Sequence, residues 1–154
     1  MSVTIRELNP NDVQKGLLET LKALAPVEID PLNGTILARC FVTRRWLPRV
    51  HAFVAETEDG YVVGTATLLV IPKLIHHGEP VGQVEDVAVH PDWQGQGIGR
   101  RLMLRCIEAA RESRCRKVIL NCSETNIPFY ASLGFRPHEV GMRLDLNYGG
   151  AIAE

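Results

Sequence analysis

The sequence predicts one α/β domain on a mixed sheet, spanning residues 1–146, with residues 147–154 as a frayed C-terminal tail. Three observations predict it. The element order reads βααβββαβαβ, Glu58-Asp59-Gly60 joins two β-rich runs as a hairpin, and a glycine-rich loop stands between a strand and a helix. A chain of 154 residues can bury roughly 70% of its unfolded surface, so one core suffices without staples.

The elements follow in order. Val3, Ile5 and Leu8 mark a short strand over 3–8, and Asn9-Pro10-Asn11-Asp12 supplies a turn with side chains able to cap a helix. Val13, Leu17, Leu18, Leu21 and Leu24 recur at helical spacing, predicting a first helix to about Ala25 that Pro26 stops. Residues 26–34 are rich in turn formers, and a second helix is expected over 36–47. Residues 51–57 and 61–71 are the two hairpin strands. The stretch 72–82 reads as a loop with two histidines.

Residues 83–90 form the next strand. Strict alternation puts Val84, Asp86, Ala88 and His90 on one face and Glu85, Val87 and Val89 on the other, unless a bulge shifts the register. Over 100–113 a helix carries Leu102, Cys106, Ala109 and Ala110 on one side, with Ile98 at its start. A strand over 117–122, a short helix over 128–133 closed by Gly134, and a last strand over 142–146 complete the pattern. Met103 and Met142 are expected in the core, and Trp93 in packing.

Composition excludes several functions. With 17 Lys+Arg against 18 Asp+Glu, the net charge of −1 gives no long-range pull toward nucleic acid or an anionic membrane. No twenty-residue apolar run and no secretory signal pattern is present at the start, so a cytoplasmic protein is expected. Cys40, Cys106, Cys115 and Cys122 include no C-x-x-C pair, and His76-His77 lacks carboxylates at ligand spacing, so no metal site is expected. Cys106 and Cys122 fall in apolar patterns and read as small core residues.

Gln94-Gly95-Gln96-Gly97-Ile98-Gly99-Arg100 carries the chemistry. Glycines let backbone amides converge, and with a helix N-terminus they make an anion site suited to a diphosphate. The loop has no Lys-Ser/Thr after Gly99, which excludes a Walker loop, and its third glycine falls one place short of a dinucleotide fingerprint. A helix start needing only flexible backbone is the alternative.

The run VEDVAVHPDWQGQGIGRRLM, followed by NIPFYASLGF, resembles the GNAT family of acetyl-CoA-dependent N-acetyltransferases over about residues 3–146. The resemblance implies the GNAT fold, a central splayed mixed sheet flanked by helices, with acetyl-CoA as co-substrate. Residues 18–24, Lys73-Leu74-Ile75-His76 with residues 82–87, 116–122 and 126–130 further resemble the branch that acetylates glucosamine 6-phosphate for UDP-N-acetylglucosamine biosynthesis. That likeness implies a homodimer whose acceptor pocket is completed by a second subunit. The Met142-Leu144-Leu146 run is a candidate pairing edge, and equally a covered sheet element.

Carried over by position, Glu85 and Asp86 face the amino sugar, and the main chain of Val87, Ala88 and Val89 grips the acetyl and pantetheine part. Gly95, Gln96, Gly97, Ile98, Gly99 and Arg100 hold the pyrophosphate. Lys73, His76, Arg116 and Lys117 contact the sugar or its phosphate. Tyr130, with Ala131 and Ser132, lies by the cofactor sulfur. Three departures stand out: Asn121 takes the catalytic position of an acid and can bind substrate but not act as a base; Ala25 replaces a hydroxyl residue; and Asp145 aligns with a basic one, with Arg143 two positions away as the substitute.

The chemistry implied is direct acetyl transfer to an amine. Glu85 accepts the ammonium proton, directly or through water, and Tyr130 protonates the departing sulfur. Bland roles stand beside these: packing for Tyr130, solvation for Glu85 or Asp86, an exposed loop for His76 and His77. Cys122 is a weak alternative nucleophile. A GNAT enzyme for another amine (another amino sugar, a polyamine, an antibiotic or a protein amino group) and a non-catalytic acyl-CoA-binding module are the competing functions.

Overall fold

The computed structural model describes residues 2–24 and 49–146. The expected second helix, Ala25, Cys40 and the tail lie outside the described residues. The chain divides into two units, Met1–Leu120 and Asn121–Glu154.

The first unit is a five-stranded mixed sheet in the order β1-β2-β3-β4-β5. The strands are β1 (Val3–Glu7), β2 (Val50–Thr57), β3 (Val62–Ile71), β4 (Val81–Val89) and β5 (Lys117–Ile119). The first four run antiparallel in sequence, and β5 joins β4 in parallel. The hairpin closes as the sequence predicts: Gly60 takes φ +80°, and Thr57 N–H donates to the Tyr61 carbonyl at 2.8 Å.

Helices cover both faces. Helix α1 (Leu17–Leu21) sets Leu17 against Val54 and Val62, with Leu8, Val13 and Leu21 packed around them. Helix α2 (Ile98–Glu112) buries Ile98, Leu102, Met103, Cys106, Ala109 and Ala110, the stripe its periodicity predicts. Close approach of α2 depends on Gly64, where a Cβ would lie 2.9 Å from Leu102 Cδ1 and 3.0 Å from Ile98 Cγ2. Any side chain there would push away the helix that opens at the glycine loop.

The continuous first helix expected to Ala25 is instead two pieces. A 3-10 turn over Pro10–Gln14 and α1 are separated by Gly16 at φ +92°. Asn9 caps the turn with a capping box, Asp12 Oδ2 accepting from Asn9 N–H at 2.8 Å. The Asp12 carboxylate is fully buried and held by Arg6 at 2.7 and 2.8 Å, while the same guanidinium reaches both Glu56 oxygens at 2.8 Å. One arginine thus ties β1, β2 and the turn together.

The second unit begins after β5. Here the strand expected over 117–122 stops at Ile119, so Cys122 is exposed rather than in the core. Helix α3 (Ile127–Ala131) matches the expected short helix, and Gly134 at φ +91° follows it. Residues 142–146 form no strand among the described residues. Met142 is 97% exposed, which corrects its expected core role, and Leu144 and Leu146 are exposed beside it. Alternation supplies one apolar edge, but a strand exists only where a neighbour accepts its hydrogen bonds.

Replacing Arg6 with Ala leaves a buried carboxylate unpaired and should cost about 3 kcal/mol in urea unfolding at neutral pH; a loss below ~1 kcal/mol would show the network to be idle. Hydrogen bonding to Arg6 holds the Glu56 carboxyl below its ordinary value of 4.5. Its stabilisation is therefore complete above that pH and lost as pH falls through the lowered value. Unfolding of Glu56→Gln should depend less steeply on pH in that acid range than unfolding of the parent.

Candidate active site

The site on the first unit starts from an interruption in β4. Thr67 pairs with Glu85 and Thr65 with Ala88, so Asp86 and Val87 together oppose the single residue Ala66. Asp86 sits at φ +53°, the left-handed first residue of a bulge. The extra residue breaks the alternation. Glu85 now shares a face with Ala88, as partners of Thr67 and Thr65, and Val84 shares the other with Val89, as partners of Leu68 and Gly64. The bulge is the exception the sequence reading allowed for, not the regular strand. Glu85 and Asp86 are both exposed.

On its other side β4 is paired only briefly. The ladder to β5 joins Val81 to Lys117, Gly82 to Val118 and Gln83 to Ile119, then ends. From Val84 to Val89, among the described residues, β4 has no strand on that edge. The Val89 carbonyl on that edge is taken by Gln94, and the Ala88 main chain faces Thr65 of β3, so the edge open to something other than a strand is the outward main chain of Val87 and the Val89 N–H. Gln83, on the last rung, donates from Nε2 to Glu85 Oε1 at 2.9 Å and orients that carboxylate. Sequence reasoning missed Gln83; the available signal was its i, i+2 position on the same face as Glu85.

The glycine loop follows β4 directly. A 3-10 turn over Pro91–Trp93 is capped by His90, whose Nδ1 accepts from Asp92 N–H at 3.3 Å. Gln94 Nε2 donates to the Val89 carbonyl at 3.1 Å and Gln96 Nε2 to the Asp92 carbonyl at 3.4 Å, tying the loop to the strand end. Gly95 and Gly97 take φ +75° and +77°, and a Cβ on either would meet nothing within 4 Å. Gly97 caps the fifteen-residue α2 without any side-chain cap. Among the described residues, the amides of Gly95, Gln96, Gly97, Ile98 and Gly99 donate to no backbone acceptor. Unused amides at the positive end of a long helix, with open space before them, form an anion cradle.

The other predicted residues distribute as follows. Lys73 and His76 lie exposed in the loop between β3 and β4, where His76 and His77 take φ +54° and +58°. Arg116 and Lys117 stand at the start of β5, Arg116 N–H donating to the Pro80 carbonyl at 2.9 Å. They flank the first residue of β4, four positions before Glu85. Trp93 is partly buried beside the loop. The Cys106 thiol is buried in α2 and pushed up to about 12, an inert core group as expected.

Within the second unit, Tyr130 stands at the end of α3. Its ring meets Phe129 edge-on at 4.9 Å and Phe135 at 6.0 Å, and Phe135 N–H donates to its carbonyl at 3.1 Å. Burial, and secondarily the neighbouring Cys122, raise the phenol above its ordinary value of 10, so it keeps its proton at neutral pH. Ala131 and Ser132 follow it, Ser132 Oγ donating to the Phe129 carbonyl at 2.6 Å. Asn121 Oδ1 would lie 3.3 Å from a Cβ built at Gly141. Arg143 Nε donates to Asp145 Oδ1 at 2.6 Å, so the supposed substitute and the acid it offsets hold each other.

No cluster of metal-ligating side chains occurs among the described residues, and no helix among them is long and apolar enough to cross a membrane. The chain matches the acetyltransferase (GNAT) family over residues 21–135 and belongs to it. It is 40% identical over 146 residues to the glucosamine 6-phosphate N-acetyltransferase of Trypanosoma brucei brucei, covering 95% of this chain and 97% of that one. It is 38% identical to the enzyme of the same name from Candida albicans, covering 90% and 93%. The crystal structure of glucosamine-6-phosphate N-acetyltransferase from Arabidopsis thaliana superposes with a TM-score of 0.89 at 25% identity, covering 96% of this chain and all of that one.

The bulge yields a direct test. Asp86→Gly relieves the left-handed backbone and should leave stability unchanged or raise it by up to ~1 kcal/mol, whereas Asp86→Val should lower it by about 1–2 kcal/mol. Equal urea midpoints for the two variants would mean that no left-handed residue is needed there.

Proposed function

We propose that this protein transfers the acetyl group of acetyl-CoA to the amine of glucosamine 6-phosphate, giving N-acetylglucosamine 6-phosphate and coenzyme A. The observation that carries the reading is the pairing of the β4 bulge with an unused amide cradle one turn beyond the strand. The relatives' shared name, over nearly the full chain, supports the sugar phosphate as acceptor.

The cradle fits the coenzyme's pyrophosphate: the amides of Gly95 through Gly99 are unspent, Gly95 and Gly97 leave room for close approach, and Arg100 adds positive charge at the helix start. Bound there, acetyl-CoA supplies the thioester that the amine attacks. The stretch of β4 at Val87, Ala88 and Val89 holds the acyl and pantetheine part, and an outward amide there stabilises charge developing on the carbonyl oxygen, worth roughly 3–4 kcal/mol per donor. Glu85, steadied by Gln83, accepts the proton the sugar ammonium must lose. Asp86, Lys73, His76, Arg116, Lys117, Asn121 and Arg143 are the candidate sugar and phosphate contacts. Tyr130, kept protonated by burial, donates to the sulfur as the thiolate leaves.

A homodimer completes the proposal. Val140, Met142, Leu144 and Leu146 are exposed apolar side chains along one stretch, at 88, 97, 83 and 61%, and a second copy would cover them. The free thiols Cys106, Cys115 and Cys122 suit a reducing cytoplasm, where the product serves UDP-N-acetylglucosamine biosynthesis.

Incubation with acetyl-CoA and glucosamine 6-phosphate should release free thiol; silence with this sugar alongside turnover of another amine would reassign the acceptor. Tyr130→Phe should lower kcat about tenfold or more with little change in acetyl-CoA affinity, since the hydroxyl acts on the leaving group. Because the phenol titrates above 10, any alkaline fall in kcat due to it should begin only near or above that pH. Gly97→Ala should weaken coenzyme A binding at least tenfold in calorimetry while the variant stays folded.

A further inference from the structure

A second cluster of cationic groups lies at the opposite end of the sheet from the glycine cradle. A cleft of about 330 Å³ is lined by Arg49 and His51 from the start of β2, Gly78 and Pro80 ahead of β4, and Ser113 and Arg114 at the end of α2. Helix α2 begins at the cradle and ends at this cleft, so fifteen residues, roughly 22 Å of helix, separate the two. Neither Arg49 nor Arg114 has a side-chain hydrogen bond or ion pair among the described residues. The nearest acid on the helix, Glu112, is already paired with Arg105 at 3.6 Å, and Arg105 itself lies over the Phe53 ring at 4.7 Å. Glu79, exposed between Gly78 and Pro80, is a single carboxylate against two guanidinium groups.

The backbone beneath Arg114 is unusual. Cys115 N–H donates to the Ala110 carbonyl at 2.8 Å and Arg114 N–H to the Arg111 carbonyl at 2.9 Å, the paired bonds of a Schellman termination. That motif places residue 114 in the left-handed region, here φ +56°, where glycine is favoured and an arginine is strained. His76, His77 and Gly78, at φ +54°, +58° and +78°, bring a left-handed run to the facing wall. Arg49 is fixed from the other side, its carbonyl accepting from Val70 N–H at 2.7 Å.

From this we infer that the cleft between β2, the loop ahead of β4 and the end of α2 binds a small phosphate ester, held by Arg49 and Arg114 with His51 and Ser113 as further donors. Two guanidinium forks match the oxygens of a phosphate dianion, and a cleft of this volume admits a ligand the size of a phosphorylated sugar. The site is separate from the coenzyme's pyrophosphate cradle and does not depend on the acceptor assignment.

The test uses the full chain saturated with coenzyme A, so that the cradle is occupied, titrated with inorganic pyrophosphate at constant ionic strength. Calorimetry should show one further binding event, with a rise in Tm of a few degrees at millimolar ligand. Arg114→Gly keeps the Schellman turn and removes its strain, so it should be at least as stable as the parent without ligand. Its affinity for pyrophosphate, and that of Arg49→Gln, should fall at least tenfold, while acetyl transfer at saturating substrates is unchanged. The proposal is overturned if pyrophosphate produces no second event in the parent, or if it binds the parent and both variants alike.

Discussion

The extra residue in β4 is the constraint on which the candidate site depends. A regular strand would align Glu85, Val87 and Val89 on one face and keep the hydrogen-bond ladder intact. With Asp86 in the left-handed region, two residues oppose Ala66, and Glu85 changes neighbours without moving along the chain. Strain at a single residue is a small cost, of order 1 kcal/mol. In exchange the register of β4 shifts just beyond the last rung to β5, along a stretch whose outer edge carries no strand among the described residues.

That opening would have little use if the cradle beyond it were loosely placed. Its position follows from packing two layers away. Gly64 on β3 lets α2 settle against the sheet, and Gly64 pairs with Val89, the last residue before the loop. Gln94 then pins the loop to the Val89 carbonyl. A chain of short contacts thus runs from the core to the amides, without a side-chain cap on the helix. Leaving α2 uncapped is costly for the helix alone and useful for an anion that takes the cap's place.

The two ends of α2 use opposite devices. At its start, glycines take the left-handed conformations and the amides stay free. At its end, an arginine takes the left-handed position that glycine ordinarily fills, and the carbonyls are satisfied by the Schellman pair. Each end therefore presents positive charge, one from backbone and dipole, the other from side chains alone.

Much of this was legible in the residues. The alternation of β2 and β3, the Gly60 turn, the buried stripe of α2 and the glycine loop all follow from local periodicity and backbone preference, which short stretches of sequence carry in full. What tertiary structure decided were matters of partnership. Gly16 divides the first helix because Tyr61 and the Val62 carbonyl lie against it; among the described residues the strand that begins at Lys117 ends at Ile119, and 142–146 form none. Cys122 and Met142, apolar by pattern, are exposed. Periodicity says which side of a segment prefers to be dry, but only the rest of the fold determines whether anything is there to cover it.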